Sequence, residues 1–235
     1  MGFRPDSRRW GVIFRVGAGR LEFSGGLAFF LLDEVKDEED PIMFAFRPAV
    51  KMSIDDNIMI KGAIGYYHTR NVRGRILPNS SGSNTLTQFK SSNGDIIGGI
   101  ANEFVSIEPT FNIEIGKLSG QVEMVSLFGS YVTNSEVDSA GTGYAIGLKL
   151  GTSSMKEKGK WQVRYIRRRL EKDAWPDIFP DSDAYDGMTG VEGDEVVVAL
   201  SIAKGVIVTL DYCYMKLIDG SSEERLLQAD LLIKF

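Results

Sequence analysis

The sequence predicts an all-β fold, an antiparallel transmembrane β-barrel with about 11–12 strands in this chain, on three observations. Apolar and polar residues alternate with period two over segments of roughly nine to eleven residues, long enough to cross a bilayer at a tilt. Tight turns alternate with long polar loops along the chain, as in barrels whose two rims differ. No run among the 235 residues approaches the ~20 apolar residues of a spanning helix.

Strands are expected near 8–18, 26–36, 43–54, 57–69, 102–116, 119–132, 141–151, 160–171, 193–203, 205–216 and 223–235. The first, "WGVIFRVG", sets Trp10, Val12, Phe14 and Val16 against Arg9, Gly11 and Arg15. "GLAFFLLDEV" is nearly continuous in apolar residues, so its outward face stays undecided. "MFAFRPAVKMSI" opposes Phe44, Phe46, Val50 and Met52 to Ala45, Arg47, Ala49 and Lys51. The cleanest period lies in "FVSIEPTFNIEIG", where Val105, Ile107, Phe111, Ile113 and Ile115 face away from Ser106, Glu108, Asn112 and Glu114. A helix would scatter both sets around its axis. "GQVEMVSLFGSYV" changes phase near Val125, which predicts a bulge. "GYAIGLKLG" opposes Tyr144, Ile146 and Leu148 to Ala145, Gly147 and Lys149. "VIVTLDYCYM" opposes Leu210, Tyr212 and Tyr214 to Thr209, Asp211 and Cys213. The last strand sets Leu227, Leu231, Ile233 and Phe235 against Gln228, Asp230 and Lys234. No amphipathic helix is expected.

Hydrophobic residues make up 43% and mean hydropathy is -0.09, values that an alternating barrel shares with a soluble protein. A net charge of -5 argues against nucleic acid as a partner. The single cysteine, Cys213, excludes an intrachain disulfide framework and a multi-cysteine zinc site, and reads as a small side chain inside a strand. Residues 1–235 read as one barrel domain with long outer loops near 70–101 and 172–192. The N-terminus shows no apolar segment followed by a cleavage site. Either a signal peptide has been removed or the chain begins partway through a longer protein. An odd strand count near eleven favours a larger barrel, because single-chain bacterial barrels have even numbers.

Alternation shows that one face is apolar but not where that face points. In a sandwich it faces a second sheet, and in a membrane barrel it faces lipid. The barrel reading assigns Arg15, Arg47, Lys51, Lys61, Glu108, Glu114, Lys149, Arg164, Arg168, Asp211 and Asp230 to the lumen. It assigns Trp10, Tyr66, Tyr144, Trp161, Tyr212 and Tyr214 to the membrane–water girdle, where amphipathic rings concentrate.

One stretch carries more than architecture. "GYAIGLKLGTSSMKEKGKWQVRYIRRRLEKDAWPDIFPDSDAYDG" resembles the bacterial putative porin family in its G-x-x-x-G-x-K-x-G strand, Gly-Lys-Trp turn, Tyr- and Arg-rich strand and D-S-D loop. The matching residues are Gly143, Gly147, Lys149, Gly151, Trp161, Tyr165, Arg167, Arg168, Asp173, Asp181, Ser182 and Asp183. The resemblance covers roughly 57–235, most specifically 141–187. It departs at "DAYDGMTGVEGDE" and in the three consecutive basics Arg167–Arg169. Phe235 resembles the terminal aromatic that the barrel-assembly machinery reads in outer-membrane proteins. The resemblance implies a C-terminus on the periplasmic side, long loops outside the cell, and membership of the C-terminal part of a larger barrel.

Catalytic chemistry finds little support. The lone histidine, His68, has no Ser or carboxylate at a telling spacing and reads as a girdle residue rather than a base. Asp181, Asp183 and Glu192 occupy positions 1, 3 and 12 of a calcium-type loop, but Tyr185 and Asp186 stand where an oxygen ligand and Gly belong. Within "RYIRRR", Arg164 and Arg168 point inward to favour anions, or pair with Glu195 or Asp230, while Arg167 and Arg169 point out toward headgroups.

The expectation is a non-enzymatic porin of a Gram-negative bacterial outer membrane, a channel for ion transport and small hydrophilic solutes, without cofactors. Its partners would be the lipid bilayer with lipopolysaccharide and the barrel-assembly machinery. A homo-oligomer is compatible with this reading. Two alternatives stay open: a non-conducting barrel serving as anchor or adhesin, and a soluble β-barrel binding an apolar ligand.

Overall fold

The computed structural model describes residues 9–36, 38–90, 96–118, 120–181 and 183–234. Eleven strands form one antiparallel sheet: β1 (Arg9–Ala18), β2 (Leu21–Leu31), β3 (Ile42–Ser53), β4 (Ile58–Arg70), β7 (Val105–Ile115), β8 (Met124–Asn134), β9 (Thr142–Gly151), β10 (Trp161–Leu170), β11 (Val191–Ala203), β12 (Val206–Leu217) and β13 (Glu223–Ile233). Each strand pairs with its neighbour in sequence, apart from a separate hairpin, β5 (Leu86–Lys90) and β6 (Ile96–Ile100), inserted between β4 and β7. The only helical piece among the described residues is a 3₁₀ turn at Tyr185–Gly187. No described helix is long and apolar enough to cross a membrane.

Several boundaries differ from the sequence expectation. The second strand lies at 21–31 rather than 26–36, because Leu21 and Phe23 already alternate with Glu22 and Ser24. The expected bulge near Val125 is absent: β8 keeps one constant register with both neighbours, and the apparent phase change arises because 120–123 precede the strand. The register shift falls instead at Ser201/Ala203, between β11 and β12. The loop expected near 70–101 contains the β5–β6 hairpin. Phe235 and Ser182 lie outside the described residues.

The sheet is barrel-like but not closed. β1 and β13 are its edges, and ten antiparallel steps make them run in the same direction. Tight connections such as Gly19–Arg20 and Lys204–Gly205 lie on one rim, and the long loops lie on the other. Gly19 and Gly205 hold φ of 60° and 76°, a left-handed backbone that glycine adopts without a Cβ clash.

Large apolar side chains stand exposed all along one face, from Val12 and Phe23 through Phe44, Ile113, Leu148 and Leu210 to Leu231. Ile113 is 37% exposed, Leu148 40% and Leu231 61%. The buried apolar clusters sit elsewhere, one among the long loops and one where the 171–190 loop meets β11 and β12. Val72, Leu77, Ile100 and Phe104 pack with Leu32 and Ile178, while Tyr185 and Val191 pack with Cys213 and Met215. A soluble sandwich would bury its greasy face first. Here that face is the exposed one.

Candidate functional site

Cross-strand register places every lumen candidate on the face opposite the exposed apolar residues. Lys51 stands opposite Lys61 and Lys61 opposite Asn112; Glu114 stands opposite Ser126, Ser126 opposite Lys149, and Lys149 opposite Arg164. Arg15, Arg47, Glu108, Arg168, Asp211 and Asp230 share this face by the same register. Glycine makes room on it. A Cβ at Gly147 would stand 2.4 Å from the Phe128 ring and 2.7 Å from the Tyr165 carbonyl oxygen. Gly151 combines a φ of 139° with a prospective Cβ 2.3 Å from the Trp161 carbonyl oxygen. Two glycines of the G-x-x-x-G-x-K-x-G stretch are therefore steric requirements of the wall.

Five of the eleven lumen candidates, Arg15, Arg47, Glu108, Arg164 and Arg168, are ion-paired. Arg15 lies 3.2 Å from Glu22, and Arg47 lies 3.7 Å from Glu108, which also accepts the Tyr67 hydroxyl at 3.0 Å. Glu195 accepts Arg164 at 2.8 Å and Arg168 from its other oxygen. The sequence points to Glu195 as a partner but not to Glu22, which lies upstream of the strand expected at 26–36 and inside the observed one. Asp211 keeps one carboxylate oxygen buried without a hydrogen-bond partner.

The long loops close over the same face. From the 171–190 loop, the Trp175 ring meets Tyr67 of β4 edge-on at 4.6 Å, and the Ala174 and Asp173 carbonyls accept Ser106 of β7 and Asn134 of β8. Farther along the same loop, Tyr185 packs on Cys213 and Met215 of β12. The loop therefore runs across the polar face from β4 to β12. Asp177 fastens it to the 71–104 loop: its Oδ2 accepts the Ser80 hydroxyl at 2.8 Å and the Ser83 amide at 2.9 Å. Asn84 donates to the Trp175 carbonyl at 2.9 Å and accepts the Asp177 amide. Nothing in the sequence joined these two loops, about ninety residues apart.

The apolar face carries every girdle candidate: Trp10, Tyr66, Tyr144, Trp161, Tyr212 and Tyr214. Tyr131 stands opposite Tyr144, and Tyr165 opposite Leu148, on this face too. His68 sits there opposite Phe44, its ring 6.4 Å from Tyr66. Toward the long-loop ends of β10–β13 the outward face becomes ionic. Arg167 pairs with Glu192 at 3.1 Å and Asp194 at 2.9 Å; Arg169 and Lys216 also reach Glu192, at 3.2 and 3.0 Å. Glu192 is thus committed to three cations, while Asp181 accepts the Asp183 amide within the loop. Among the described residues the calcium-type spacing does not gather these three carboxylates into a metal site.

A family described as putative porin matches residues 99–235, more than half of the chain. No curated protein gives a match.

Proposed function

The chain belongs to the putative porin family, and on that premise we propose that it is wall and constriction of a water-filled channel in a bacterial outer membrane, passing small hydrophilic solutes and ions by passive diffusion. One observation carries this reading: a face of paired and unpaired charges, roofed by loops, backs onto a face of exposed aliphatic and aromatic side chains. In hydrocarbon the unpaired backbone groups of β1 and β13 would cost several kcal/mol each. Membership of a larger barrel would pair both edges, and an odd number of added strands would keep every ladder antiparallel. The 171–190 loop then narrows the lumen from the outer side, and its fixed charges bias which ions pass. No step of this mechanism breaks or forms a covalent bond.

Planar-bilayer recording of the pure full-length protein tests the channel. Discrete, voltage-tolerant current steps are expected; silent bilayers containing folded protein would overturn the reading. A non-conducting anchor or adhesin is the second reading. It draws support from the loop roof, whose own apolar core of Val72, Leu77, Ile100 and Phe104 makes a firm outer surface.

A further inference from the structure

On the inward face of β3 and β4, Lys51 and Lys61 stand directly opposite one another. Cross-strand neighbours lie roughly 5 Å apart at Cβ, and like charges in that position destabilise a sheet. Among the described residues neither ammonium has a carboxylate within 4 Å. Glu22, across from Lys51 on the other side, is held by Arg15, and Glu108 is held by Arg47. The two lysines and the two arginines line one recess of about 460 Å³, together with the hydroxyls of Ser24 and Thr110; its single carboxylate is Glu22. With the arginines neutralised by their glutamates, the recess keeps two uncompensated positive charges beside hydroxyl donors.

We propose that this recess is a docking station for a small oxyanion, a carboxylate or phosphate, held between the Lys51 and Lys61 ammonium groups. The inference rests on the channel reading and adds the class of solute to it. Ammonium groups bind oxyanions as point charges without demanding a fixed fork geometry, which suits a station that must also release its guest. The volume admits a solute the size of a phosphate or a short organic acid. Release follows from the water on the open side of the recess, which screens the attraction.

Two measurements on the full-length protein test it, with inorganic phosphate as the probe. In detergent-refolded protein, the phosphorus resonance should broaden saturably. Lys51→Gln/Lys61→Gln should weaken that binding roughly tenfold, the effect of two charges at close range in water. The variant's folding is checked by its heat-modifiable gel mobility. In bilayers, phosphate should reduce the chloride current of the parent channel but not of the double variant, whose reversal potential should move toward cation preference. Equal broadening in parent and folded variant, or none in either, would overturn the station even if current steps persist. Lysine-dependent broadening without any conductance would leave the station standing and remove the channel.

Discussion

The outward face of β10–β13 and the inward face of β2–β4 both carry charge in cross-strand register, and they arrange it differently. Outward, Arg169, Glu192, Lys216 and Glu223 stand side by side on four successive strands in alternating sign. Inward, the row reads Glu22, Lys51, Lys61, so that two cations meet. At the edge of an apolar surface a lone charge is costly to desolvate, so charge persists there as neutral pairs. Beside water, like charges survive because solvent screens them, and they stay free to meet a solute. On the channel reading, pairing marks structural charge, and its absence marks charge open to solutes.

The strongest way to break this contrast is to place an unpartnered charge on the outward face. Leu148→Arg, between Leu127 and Tyr165, should cost about 2–4 kcal/mol if hydrocarbon surrounds it. Ser130→Arg on the inward face should cost less than about 1 kcal/mol. Urea unfolding from lipid vesicles measures both, and equal costs would collapse the distinction between the faces. Next comes Asp177→Asn, where a buried carboxylate serves only neutral donors. Losing those charge-assisted bonds should cost about 1–3 kcal/mol and raise the rate of protease cleavage within the 71–104 loop. Unchanged cleavage would show that the two loops do not depend on this pin.

A smaller effect is expected from Glu192→Gln in the outward lattice. Its pairs are partly exposed, so about 1 kcal/mol is the scale, and the reversal potential should not move. A shift matching that of the lysine variant would erase the contrast. The smallest effect lies on the short-turn rim, where Lys160, then the Ser153 amide and hydroxyl, hold the Glu123 carboxyl down to about 2 from its usual 4.5. A depressed carboxyl stabilises the fold above its unfolded value and loses that contribution as pH falls from 4.5 toward 2. Glu123→Gln should therefore melt earlier than the parent at neutral pH, with the gap closing across that window. A gap that is constant with pH would rule the ion pair out as its cause.

Much of the fold was legible because the strand period is local. In 105–115 each residue's face follows from its neighbours, and the eleven sheet strands emerge with only their ends misplaced. "GLAFFLLDEV" failed because a continuous apolar run carries no phase; Leu21–Ser24 just upstream held the missing alternation. Legibility ended where contacts are distant in sequence. Glu195 between Arg164 and Arg168, and Asp177 against Ser80 and Ser83, depend on register and loop packing that no local pattern encodes. The Lys51–Lys61 meeting was recoverable in principle, since the short 54–57 turn fixes that hairpin's register.

Spin-label accessibility along β7 tests most directly which face meets lipid. Single cysteines placed from Glu108 to Ile115, in a Cys213→Ala background reconstituted in vesicles, would be exposed to oxygen, which concentrates in hydrocarbon, and to a water-soluble nickel chelate. Lipid contact on the apolar face predicts oxygen maxima at Phe111, Ile113 and Ile115 and nickel maxima at Glu108, Asn112 and Glu114. The reverse alternation, or nickel access at both sets, would contradict it.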